Sequence, residues 1–137
     1  VLLREGNVDS YVERALGNRC DISSCFATAL ISTRFWKNYF KYNNFSYRLQ
    51  GLDAGVLMGQ LLETSKQFGF ESGVYAQFLD ASINRLVGVS DEEESVYAVI
   101  PLSVGATNWA VGRSVMDRGF RSEELCRELP PVQLEVY

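Results

Sequence analysis

LQGLDAGVLMGQLLETSKQF, residues 49–68, is the stretch on which the fold turns. It is free of proline and apolar on nearly all sides in its first half, a pattern that predicts a buried helix from Leu49 to Phe68. Gly51, Gly55 and Gly59 stack on one face of that helix, with Ala54 and Met58 beside them. A glycine in a helix interior costs about 1 kcal/mol relative to alanine. Three on one stripe mark either a locally weak helix or close approach by another backbone, from a neighbouring helix or a second subunit.

Upstream lies KNYFKYNNFSYR, residues 37–48, with five aromatics interleaved with three basic residues and three asparagines. It reads as a connector, because CFATALIS (25–32) before it is a compact apolar run with the character of a buried strand. Further upstream, VDSYVERALG (8–17) has helical spacing and a glycine stop. Downstream, residues 69–78 turn β-branched and aromatic and predict a strand. LDASINRLVGV (79–89) predicts a short helix capped by Asp80 and stopped by Gly88. DEEES is a solvated acidic turn, and SVYAVIPLS (95–103) is a second buried strand with Pro101 marking its end. Ser122 opens another short helix before Pro130-Pro131 breaks it. VQLEVY (132–137) alternates as a strand with no local partner, so it must pair with a distant edge of this chain or another. The order is α+β or α/β, with no internal repeat.

The chain has 137 residues, 47% of them apolar and 22% charged, the size and make-up of one soluble globular domain. No apolar run approaches the about 18 residues a membrane helix needs, and no basic start followed by an apolar run is seen, so neither a membrane nor a secretory protein is expected. The first residue, Val1, implies a chain processed or excerpted from something longer. A net charge of -4 argues against a large phosphate-binding footprint and so against nucleic acid, although the aromatics of residues 37–48 would suit base stacking. Histidine is absent, which removes Ser-His and Cys-His nucleophiles and histidine-ligated metals. Chemistry must then fall to lysine, tyrosine, carboxylates, thiols or a cofactor. Cys20, Cys25 and Cys126 form no complete metal set and read as reduced thiols of a cytoplasmic protein. Trp36 and Trp109 read as packing residues, and Arg48 as a structural ion-pair partner.

Four segments, LLREG, KYNNFSYRLQGLDAGVLMGQLL, FGFESGVYAQFLDASINRLVGV and SVYAVIPLS, carry a resemblance over roughly residues 2–103. They are similar, in residues and spacing, to the second half of the SagB-type dehydrogenases of the nitroreductase-like, FMN-dependent superfamily. The resemblance implies an α+β sandwich, with residues 1–104 as the C-terminal portion of a nitroreductase-like domain and 105–137 as an extension and dimerisation arm. It implies an obligate homodimer with FMN at the interface, a long central helix packed on its twin, and a C-terminal arm reaching the partner's sheet.

In function, the resemblance implies oxidation of thiazolines and oxazolines in a modified peptide to thiazoles and oxazoles. Lys41 and Tyr42 match the family's acid–base pair. Removing a proton from one ring carbon while flavin takes a hydride from its neighbour asks for a base of this kind. Val74, Tyr75, Ala76 and Gln77 match the stretch whose backbone approaches the flavin. Arg127, shortly before the terminal arm, is the arginine expected at the flavin phosphate, chosen over Arg113, Arg118 and Arg121. Asn43 stands where the family usually has glycine, Tyr75 and Gln77 where it has small residues, and Ser103 where it ends a strand in Pro-Leu-Gly. The family's phosphate-gripping arginine motif belongs to its first half and has no counterpart in this sequence. The resemblance therefore implies a missing N-terminal half or a second chain; the alternative is a flavin-free scaffold or interaction module in a biosynthetic complex.

Overall fold

The computed structural model describes residues 2–105 and 121–132. In chain order the elements are α1 (Asp9–Ala15), a 3-10 turn (Ile22–Ser24), β1 (Ala27–Arg34), α2 (Tyr39–Tyr42), α3 (Phe45–Gln67), β2 (Glu71–Ser72), α4 (Asp80–Val87), β3 (Glu94–Ser103) and α5 (Ser122–Glu128). The three strands form one antiparallel sheet in the order β1-β3-β2. The expected α+β class is met, with β3, the most continuously apolar strand, in the middle.

The β1–β3 register runs from Ala27 opposite Leu102 to Arg34 opposite Glu94, and it slips between Ile31 and Ser32, where Tyr97 is left without a partner. This bulge sorts the side chains of β3. Val96 and Val99 join Tyr11, Leu16, Ile83, Leu86 and Leu125 in a core beneath α1, α4 and α5. Ala98 and Ile100 face the other way and pack with Ile31 and Ala54 beneath α3. A sheet thus lies between two helical layers. Each fully buried Leu, Ile or Val side chain contributes about 1.5–3 kcal/mol relative to exposure.

β3 spans Glu94–Ser103, within one residue of the strand expected over 95–103, and carries Pro101 near its end. Val99 exchanges both backbone hydrogen bonds with Tyr75, so the groups of Pro101, two residues on, point to the same side of the strand. The proline accepts a bond from Gly73 N there and has no N–H to give. Pairing on that edge is accordingly broken into the two-residue β2 and an isolated bridge at Tyr75. The strand expected over 69–78 is cut short for this reason.

Helix α3 begins four residues earlier than expected, at Phe45, and it is not buried. Its inner stripe of Ser46, Gln50, Ala54 and Ser65 is buried, while Phe45, Tyr47, Leu52, Val56 and Leu57 are exposed. Gly51, Gly55 and Gly59 meet nothing within 4 Å among the described residues, so no neighbouring helix of the described chain explains the stripe.

Local signals hold elsewhere with small changes. In α4, Leu79 takes the N-cap position without a side-chain cap and Asp80 is the first helical residue, correcting the expected Asp80 cap. Gly88 closes the helix in the left-handed region at φ 75, under Val132. Arg4 ties this end together: it donates to the carbonyls of Leu86 (3.0 Å), Arg85 (3.3 Å) and Pro130 (2.5 Å). Arg14 and Glu128 join α1 to α5 in a two-point ion pair with contacts of 2.5 Å. Trp36 is not a packing residue; it is exposed, donates to Glu92 O at 2.9 Å and meets Tyr39 edge-on. Arg48 is exposed and makes no salt bridge among the described residues. Trp109, Arg113, Arg118 and residues 133–137 of the expected terminal strand lie outside the described residues.

Asn84 holds α4 on β3. Its amide donates to Asp91 Oδ1 (2.7 Å) and Ser95 Oγ (3.0 Å), and its Oδ1 accepts from Val96 N (2.9 Å). Removing a fully bonded, buried amide leaves Val96 N unsatisfied, a loss on the order of 1–3 kcal/mol. Asn84→Ala is therefore expected to lower stability by about 2–3 kcal/mol in urea denaturation, with the m-value unchanged; a loss below 1 kcal/mol would contradict this role.

Candidate functional site

The expected site residues fall into three places. Lys41 and Tyr42 occupy α2, a four-residue helix just beyond the C-terminal end of β1. Lys41 is exposed, and its Nζ lies 5.0 Å from the centre of the Tyr42 ring. The ammonium thus rests over an aromatic face, a contact worth roughly 0.5–1 kcal/mol at exposed sites.

Asn43 ends this helix at φ 47, ψ -138. That conformation is open to glycine and costly for a residue with a Cβ. The position where the resemblance expects glycine is therefore one whose backbone geometry asks for it. Asn43 N donates to Tyr39 O at 2.8 Å and its carbonyl accepts from Ser46 N at 2.9 Å, so the strained residue links α2 to α3.

Val74–Gln77 lie on the outer edge of the sheet. Tyr75 spends its amide and carbonyl on Val99, at 2.9 and 3.0 Å. By the alternation of an extended strand, the backbone groups of Val74 and Ala76 then point away from β3, towards an edge that no other described strand covers. Val74, Ala76 and Gln77 are exposed, whereas Tyr75 is buried with its hydroxyl donating to Arg19 O at 3.3 Å. Tyr75 is thus packed into the α1 side of the core, and its backbone, not its side chain, serves the edge. The segment 71–77 and β1 run in the same direction on opposite sides of β3, so Gln77 and Lys41 approach the same end of the sheet from opposite edges.

Arg127 does not join either group. It is exposed in the last turn of α5, in the helical layer on the sheet face opposite α3.

Arg19 was not singled out in the sequence, yet it clamps the 74–77 stretch. Its Nε donates to Leu16 O at 2.8 Å, its Nη2 donates to Gln77 O, and its guanidinium lies 5.6 Å from the Tyr75 ring centre. Gly17 and Asn18, with φ 67 and 55, turn the chain so that Arg19 reaches back. The Gly-Asn pair was the available signal. Beneath it, Cys20 is buried in the same apolar cluster as Tyr75, with Cys25 packed against that cluster. Burial pushes the Cys20 thiol up from 9.0 to about 11, and burial likewise raises Tyr75. A separate recess of about 440 Å³ opens between the start of α4 and the acidic turn, lined by Phe78, Asp80, Asn84, Asp91 and Ser95. None of the expected site residues lines it.

The chain matches no protein-family profile and no curated protein. Among solved structures it is similar to a protein of Anabaena variabilis provisionally assigned as a nitroreductase, with a TM-score of 0.68 and 22% identity over 72% of this chain. The matched part spans 20% of that protein's length. The likeness establishes a nitroreductase-like fold. No helix of the described residues is long and apolar enough to cross a membrane.

Two outcomes follow from this geometry. Asn43→Gly is expected to raise stability by about 1 kcal/mol, strain relief outweighing the added freedom of the unfolded chain, as read from urea midpoints; a loss would refute the strain. Because burial raises Cys20 from 9.0 to about 11, the stabilisation from its neutral thiol is complete below pH 9 and is lost as pH rises through about 11. Cys20→Ala is expected to flatten the fall in unfolding free energy over that window, and an unchanged slope would contradict the assignment.

Proposed function

We propose that this chain works within an FMN-dependent oxidoreductase of the SagB type, converting thiazolines or oxazolines of a modified peptide to thiazoles or oxazoles. The observation that carries the reading is the open backbone edge at Val74–Gln77 on a nitroreductase-like sheet, where the resemblance puts the flavin ring. Outward-pointing amide and carbonyl groups at Val74 and Ala76 suit the donor and acceptor edge of a planar heteroaromatic ring. FMN, when bound, supplies the hydride acceptor.

The chain's own part is proton transfer and positioning. Lys41 Nζ takes the proton from the ring carbon beside the one that loses hydride, and the Tyr42 ring beneath it fixes its direction. A lysine serves as a base only when a dry environment favours its neutral form. A second copy laid over the exposed α2–α3 face, along Phe40, Phe45, Leu52, Val56 and the glycine stripe, supplies that cover in a homodimer. Arg19 keeps the 74–77 edge in place through Gln77 O.

Among the described residues the phosphate end of FMN finds no such fit. Arg127 stands on the other layer, and Arg19 is already engaged with two carbonyls and an aromatic face. The phosphate grip is assigned to a longer sequence or a separate chain. This same observation favours the second reading, a flavin-free scaffold of the same fold in a biosynthetic complex.

Adding FMN to the full gene product separates the two. The enzyme reading expects quenched flavin fluorescence and a yellow protein that releases FMN on denaturation; a protein that stays colourless supports the scaffold. Lys41→Ala is expected to lower kcat for azole formation by about 10²–10⁴-fold with KM little changed and flavin retained. Full azole formation by that variant would overturn the role of Lys41.

A further inference from the structure

Cys20 and Cys25 are brought together by the short turn between them. Cys25 N donates to Ile22 O at 2.9 Å, and Cys25 Sγ lies 3.5 Å from the carbonyl oxygen of Asp21, the residue next to Cys20. Cys20 belongs to a buried apolar cluster and Cys25 packs against that same cluster. Both are free, and they differ in access: Cys20 is 4% exposed, while Cys25 is half-buried. Cys25 is thus the more accessible of the two, with Cys20 in the cluster against which it packs. Cys126 is remote from the pair, on α5 with its Sγ 3.5 Å from Ala81 O.

We propose that Cys20 and Cys25 form a reversible dithiol–disulfide couple driven by peroxide. The Cys25 thiolate attacks hydrogen peroxide, the O–O bond breaks, and Cys25 becomes a sulfenic acid as hydroxide leaves and is protonated to water. The Cys20 thiolate then attacks Cys25 Sγ, the S–O bond breaks, and a second water departs as the disulfide forms. Two electrons pass from the sulfurs to peroxide, and the two thiol protons end in water. A dithiol reductant reverses the step by exchange.

Burial raises both thiols, so each is held protonated at neutral pH. The couple therefore resists brief exposure and responds to sustained oxidant, faster as pH rises. Its consequence reaches the sheet edge: Cys20 shares its buried cluster with Tyr75, so forming the disulfide repacks the core beneath that residue. This inference does not depend on whether flavin binds.

The experiment is peroxide treatment of the full chain, followed by alkylation, trypsin and mass spectrometry. Cleavage after Arg19 and Arg34 gives one peptide, Cys20–Arg34, that holds both cysteines. The expected product is this peptide lighter by two hydrogens, unalkylated, and restored to two alkylations by dithiothreitol, while Cys126 remains alkylated throughout. Cys20→Ala is expected to leave a Cys25 sulfenic acid that dimedone traps in several-fold greater yield than in the unsubstituted chain. Two alkylated cysteines after prolonged peroxide, progress of Cys25 to sulfinic acid without loss of two hydrogens, or pairing with Cys126 would each overturn the proposal.

Discussion

Strand β3 is hydrogen-bonded along both edges and covered on both faces, and one unpaired residue, Tyr97, sets which of its side chains goes to which layer. Without that extra residue, strict alternation would send Val96 and Val99 to opposite faces and leave one apolar cluster short of a member. With it, the α1–α4–α5 layer and the α3 layer each receive a closed set of contacts. The same ladder fixes the functional geometry. β1 delivers α2 at one end of the sheet, and Val99 holds Tyr75 so that its neighbours face the open edge.

Much of this was legible in the sequence because it rests on local chemistry. The glycine after α1 and the one after α4 both adopt positive φ, as a helix stop predicts. The apolar run of β3 was visible as a strand over 95–103, and the structure gives Glu94–Ser103. What a linear pattern does not encode is the side of the strand on which the missing N–H of Pro101 falls. Helix α3 shows the opposite failure. Its apolar content argued for burial, whereas its fully buried stripe is small and partly polar, Met58, Leu61 and Leu62 are half-buried, and Phe45, Tyr47, Leu52, Val56 and Leu57 stay outside. Composition cannot distinguish a helix buried in its own chain from one whose apolar face is left for something else.

For the site, the sequence supplied positions rather than roles. Lys41 Nζ lies over the Tyr42 ring, and Val74–Gln77 run along the side of β3 opposite β1. The Tyr75 side chain enters the core because a large side chain on an alternating strand has to go somewhere. Arg127 stands apart because α5 packs in the layer on the sheet face opposite α3. Arg19 escaped notice since its role is set by a left-handed turn at Gly17-Asn18, and the reach of a guanidinium is invisible before the chain is folded.

Arg4 has a consequence beyond capping α4. Its bond to Pro130 O at 2.5 Å, beside those to Arg85 and Leu86, fastens residue 4 to residue 130 across the end of α4. One guanidinium thus joins stretches 126 residues apart in sequence, and its loss would release both from the end of α4 together.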